Sequence, residues 1–148
     1  MVKRTSFEHD QCPIASSLDA IGDWWSLLII RDALFGVRRF SEFQKKLGLA
    51  RNILTVRLRA LVDQGILKTA PASDGSAYQE YALTDKGKRL YTVVVARSNN
   101  GESQLFAPGE AHSVLLEKST GVPLQRMAPH TEGGKELLPD DALVRKLG

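Results

Sequence analysis

Between residues 12 and 65 the apolar positions recur at helical spacing, and four segments stand out. "CPIASSLDAIG" starts a short helix, with Pro13 suited to its first turn and Gly22 closing it. "DWWSLLIIRDALFG" predicts a second, with Asp23 as N-cap, a core stripe of Trp25, Leu28, Ile29 and Leu34, and Gly36 as its end. Trp24 and Trp25 read as core residues rather than as a cofactor box. "SEFQKKLG" predicts a third, short helix, in which Ser41 with Gln44 three residues on fits a capping box and Phe40, Phe43 and Leu47 are the apolar contacts. In the fourth segment, "LARNILTVRLRALVDQGIL", Leu54, Leu58, Leu61 and Gly65 fall together at about 100° per residue, with Val62 beside them. Asn52, Thr55, Val56, Arg59 and Asp63 fall on the opposite face, Arg57 on a flank and Arg51 in the first turn. Folding needs the leucines; it does not need the arginines.

The pattern then changes. "ILKTAPASDGSAYQEYAL" reads as a hairpin, β-like on both flanks of a tip at Ser73-Asp74-Gly75-Ser76. "TDKGKRLYTVVVARSNNGESQLF" predicts one further helix with Thr84 as N-cap. Past Pro108 the composition shifts, with two short strands expected around Ser119-Thr120-Gly121, a second glycine turn and a terminal segment. The organisation expected is an arm over 1–11, a DNA-binding and dimerisation domain over 12–107 and a small β-rich appendage over 108–148. The fold class expected is mainly α with a small β-wing, α+β, without internal repeats.

Composition places the chain among ordinary globular domains, with 25% charged and 43% hydrophobic residues. A net charge of +3 says little by itself. Its distribution says more: over residues 37–59 there are seven basic residues to one acidic, whereas residues 97–148 hold six basic to seven acidic. Positive charge is thus concentrated on the third and fourth segments, as an electrostatic footprint for nucleic acid would be. With one cysteine the chain has no intramolecular disulfide and no cysteine-rich zinc site. Its first residues carry no apolar signal core and its longest apolar run, "LLII", is far too short for a membrane span, so a cytoplasmic location is expected.

Two short helices joined by a tight turn, the second with a basic outward face, form a helix-turn-helix pattern, and a hairpin directly after it makes a wing. The major groove of DNA, about 12 Å wide, admits a helix whose outward side chains are short or fork-shaped. Arg59 is then placed for a base edge or a phosphate, Asn52 for an adenine amide contact, and Thr55 and Val56 for thymine methyls. Arg38, Arg39, Ser41, Lys45, Lys46 and Arg51 complete the expected DNA-binding set, with the basic members neutralising flanking phosphates.

The motifs resemble, in order from Cys12 to about Phe106, those of the HxlR family of bacterial winged-helix transcriptional regulators. They are the Cys-Pro start, "GDWWSLLIIR", "RRFSEF", "LTVRLRAL" and "YALTDKG". The resemblance implies a homodimeric regulator, often a repressor, on a palindromic operator. It also implies a dimerisation helix carrying Leu90, Val94, Leu105 and Phe106. This chain departs from the family pattern at Asn52, at Val56, at Trp24, at "NNG" over 99–101 and at a wing tip without arginine or lysine.

Cys12, at the start of the first helix, is a redox candidate, because helix N-termini favour thiolates; the plain alternative is a buried structural thiol. His9, His112 and His130 have no metal-ligand spacing, and no catalytic triad, P-loop or dinucleotide-binding glycine pattern is present, so neither cofactor nor metal nor enzymatic activity is expected. An oxidant or small-molecule effector is left open, since no residue identifies one. The competing reading is a winged helix used for protein–protein contact without an operator, which the basic balance over 37–59 disfavours.

Overall fold

In a computed structural model, residues 5–148 are described. The chain divides into two compact units, one up to Val94 and one from Val95 to Gly148.

The first unit is built from α1 (Pro13–Ile21), α2 (Trp24–Leu34), α3 (Phe40–Leu47), α4 (Arg51–Asp63), the antiparallel hairpin β1 (Leu67–Pro71) and β2 (Gln79–Leu83), and the single turn α5 (Asp85–Lys88). Helix α6 (Tyr91–Leu105) starts in this unit. The core lies among α2, α3, α4 and the base of the hairpin, where Phe43, Ile29, Ile30, Leu54, Leu58, Leu61, Ile66 and Leu67 are fully buried. The α4 leucines are the stripe that the period predicts.

Local chemistry sets the ends of these helices. Asp23 accepts from the Trp25 and Ser26 amides at 3.1 and 2.9 Å and caps α2 as expected. Gly48, at φ +64°, lets the chain leave α3 in the left-handed conformation and enter α4 two residues later. Thr84 caps α5 by accepting from the Gly87 amide at 3.1 Å, and its own amide donates to the Ile66 carbonyl at 3.0 Å. Gly87 is needed here, because a Cβ on it would stand 2.2 Å from that same carbonyl oxygen.

Several expectations require correction. The cap of α3 is two residues earlier than "S-x-x-Q" suggests: Arg39 is the N-cap, Glu42 accepts from the Arg38 and Arg39 amides at 3.2 Å each, and Ser41 lies inside the helix. Those two amides hold the Glu42 carboxyl below its usual range. Trp24 is not core but 85% exposed, because it starts α2 on the side away from the buried face; Trp25 is half-buried against the core. In α2 it is Ile29 with Ile30 that is fully buried, while Leu28 is only half-buried. Gly65 ends α4 and turns the chain at φ +71°, as its place in the sequence predicts, but it is exposed and not part of the buried stripe. The single helix expected after Thr84 is two, because the Leu90 amide donates to Gly87 three residues back, at 3.1 Å, and tightens the turn between α5 and α6.

In the second unit, after α6, the two predicted glycine turns are present, at Gly121 and Gly134. The strands expected around the first are reduced to one bridge, Leu116 to Pro123; a second bridge joins His130 to Glu136, and Pro139–Asp141 forms a short 3-10 turn. Pro123 brings no N–H to continue a ladder. Within this unit His112 lies 3.1 Å from a Glu102 oxygen and against the Phe106 ring, and the Glu110 carbonyl and Glu102 raise its pKa. No helix among the described residues is long and apolar enough to cross a membrane.

Candidate nucleic-acid interface

The second helix of the helix-turn-helix, α4, presents a face that the core does not use. Asn52, Val56 and Arg59 are exposed on it, Val56 by 60%. Thr55 is half-buried and donates its hydroxyl to the Arg51 carbonyl at 2.8 Å, which leaves its methyl as the outward group. Arg57, on the flank, points back to Asp23 at the start of α2, with Nε 3.5 Å from Oδ1. It is a strut between α2 and α4, which the sequence pattern did not indicate.

Around this face lie the remaining basic residues. Arg38, Lys45 and Lys46 are exposed, the lysines on the last turn of α3. Arg51 opens α4 and stacks its guanidinium 5.1 Å from the Phe40 ring centre. Ala50 brings no side-chain cap to α4. Among the described residues, none of Arg38, Lys45, Lys46, Arg51 and Arg59 forms a salt bridge. Four of the five are on the two helices, α3 and α4, and Arg38 lies two residues before α3. Their charge is open to water or to an anionic surface.

Arg39, expected to neutralise a phosphate, is paired within the chain. It donates to Asp74 at the wing tip and lies 3.8 Å from Glu80 of β2. Glu80 is 6% exposed and accepts from the Ser73 amide and hydroxyl at 3.3 and 3.1 Å. The Tyr81 amide donates to the Arg38 carbonyl at 2.7 Å, and the Tyr81 ring meets Phe43 edge-on at 6.5 Å. The wing is therefore tied to the start of α3 by a backbone bond, an aromatic contact and an ion pair. The signal for Glu80 in the sequence is an acidic residue in the inward register of β2.

Other predicted positions separate. Cys12 is exposed rather than buried, at the N-cap of α1, and its amide donates to Asp10 at 2.8 Å. Leu90 and Val94 pack against the core of the first unit, while Leu105 is 76% and Phe106 39% exposed. Among the described residues no group of three His, Cys, Asp or Glu side chains could hold a metal ion.

A three-helix core with an exposed basic second helix and a hairpin wing defines a winged helix-turn-helix protein of the DNA-binding class. The chain belongs to the HxlR-like helix-turn-helix family, whose model matches residues 20–107. It is 38% identical over 95 residues to the HTH-type transcriptional regulator Rv3095 of Mycobacterium tuberculosis, itself uncharacterised, covering 64% of this chain and 60% of that protein. The chain thus spans about 60% of the length of the mycobacterial relatives it matches. Among solved structures it is similar to PA1607, a candidate transcription factor, with 48% identity, a TM-score of 0.91, and 96% of this chain and 99% of that one covered. It is also similar to the oxidised form of the redox regulator HypR, with 30% identity, a TM-score of 0.58, and 65% and 100% covered.

Proposed function

We propose that the chain is a repressor that binds double-stranded DNA as a homodimer in the cytoplasm, at a pseudo-palindromic operator. Helix α4 enters the major groove, and α3 lies across the backbone. The observation that carries this reading is the outward face of α4: Asn52, Val56 and Arg59 are exposed, and neither the core nor a carboxylate among the described residues claims Arg59. Asn52 and Arg59 supply base-edge chemistry, and Arg38, Lys45, Lys46 and Arg51 supply phosphate contacts. Dimerisation is supported by apolar area left uncovered on Ile14, Tyr91 and Val93 in the first unit and, separately, on Leu105 and Phe106 in the second. Leu90 and Val94 are half-buried against the core of the first unit and bring only their remaining exposed area to such an interface.

An electrophoretic shift with the DNA upstream of the gene, titrated with salt, tests the reading. Binding is expected to fall steeply as salt rises, light scattering is expected to give the mass of a dimer, and footprinting of the operator is expected to give half-sites about 10 bp apart. Absence of any shift at low salt contradicts DNA binding; a monomer at micromolar concentration contradicts the dimer.

A second reading adds a redox response. It is favoured by the exposure of Cys12 and by the likeness to HypR, a redox regulator. With one cysteine per chain the stable products are an oxidised thiol or a disulfide between subunits. Diamide is expected to change DNA affinity in the wild type and not in Cys12→Ser; equal binding before and after oxidation in both removes this reading.

A further inference from the structure

A cleft of about 260 Å³ opens between the wing and the first residues of α3 and α4, lined by Arg39, Phe40, Ser41, Arg51, Tyr78 and Gln79. Two guanidinium groups belong to it. That of Arg51 is stacked on Phe40 and has no carboxylate partner among the described residues. That of Arg39 is shared between two carboxylates of different character. Its Nε faces Glu80, whose side chain is only 8% exposed and is held by Ser73. Its terminal nitrogen donates to Asp74, whose side chain is 54% exposed at the wing tip.

That difference decides which partner can leave. An exposed ion pair is weakened by water and salt and contributes little to folding. Glu80 is buried and accepts from Ser73, so its carboxylate stays in place beside Arg39. Glu80 is therefore the anchor of Arg39 and Asp74 the exchangeable partner. A carboxylate and a phosphodiester each offer a pair of anionic oxygens to a guanidinium fork, so one can replace the other without any covalent change.

We propose that this cleft is a subsite for one backbone phosphate of duplex DNA, and that Asp74 is an internal competitor that occupies Arg39 until the phosphate displaces it. The proposal rests on the DNA-binding reading above and adds a residue that opposes it. Hydrogen bonds from Ser76, with the adjacent Arg39 guanidinium, pull the Asp74 carboxyl down to about 2. The competitor is thus charged at every pH near neutrality, and the exchange answers to phosphate rather than to protons. A phosphate contact carries no base preference, so Asp74 lowers affinity for all sequences alike.

The test uses a short labelled duplex of arbitrary sequence and the full chain as wild type, Asp74→Asn, Arg39→Gln and the double variant, each checked for folding by thermal melting. Asp74→Asn is expected to tighten binding about three- to tenfold and to steepen the salt dependence by up to one phosphate contact. In the Arg39→Gln background the same change is expected to alter affinity less than about twofold, because the competition has lost its object. An equal gain in both backgrounds means that only the overall charge matters and overturns the proposal. Weaker binding by Asp74→Asn means that the pair holds the wing for DNA and also overturns it. If the wild type binds no duplex even at low salt, the DNA-binding reading itself fails; if it binds and Asp74→Asn brings no gain, only the competitor fails.

Discussion

Arg59→Ala is expected to weaken binding to the operator by about 1–3 kcal/mol, roughly fivefold to 150-fold, with the melting temperature unchanged. The reason lies in where the side chain sits. Arg59 is adjacent in sequence to Leu58, which is fully buried, but it is itself exposed on the opposite side of α4. Removing it takes nothing from the core and breaks no salt bridge among the described residues. If Arg59 reads a base edge, its loss also relaxes discrimination at one operator position; if it holds a phosphate, affinity falls evenly across sequences and the salt slope drops by about one. Fluorescence anisotropy with the operator and with point-changed operators separates these outcomes. Unaltered affinity with unaltered stability would remove Arg59 from the interface.

Phe43→Ala is expected to have the largest effect on folding, about 3–5 kcal/mol. Phe43 is fully buried and meets Tyr81 of β2 edge-on, so its ring joins α3 both to the core and to the wing. The cavity cannot close easily between a short helix and a two-stranded hairpin. Since domains of this size are stable by about 5–15 kcal/mol, the loss takes up much of the margin. Thermal or urea denaturation followed by circular dichroism measures it; a change under about 1 kcal/mol would mean that the wing and α3 are not packed through this ring.

The helix-turn-helix was legible in the sequence for a simple reason. Leu54, Leu58 and Leu61 repeat at helical spacing, and arginine has no place in the interior of a small domain, so the wheel separates the buried face from the exposed one. Capping was legible at Asp23 and Thr84, where a short polar side chain immediately precedes the helix. It failed at α3, where "R-x-x-E" and "S-x-x-Q" overlap two residues apart and the choice depends on where the backbone turns helical. Trp24 is large and apolar, which suggests burial, yet it falls outside the Trp25–Ile29 stripe and is exposed. The pairing of Arg39 with Asp74 joins residues 35 apart in the chain, and no local pattern encodes which carboxylate the folded wing brings to which guanidinium. The segment after Pro108 was hard to read because none of its residues is buried, and period carries information only where one face is hidden from water.

The central claim is that the outward face of α4 meets DNA. Amide chemical-shift mapping of the isotope-labelled protein during titration with operator duplex tests it most directly. The largest changes are expected on Asn52, Val56 and Arg59, with a second group at Arg38, Arg39, Lys45, Lys46 and the wing tip at Asp74. Binding that leaves the amides of α4 unmoved while those of α1 or α6 shift would contradict it.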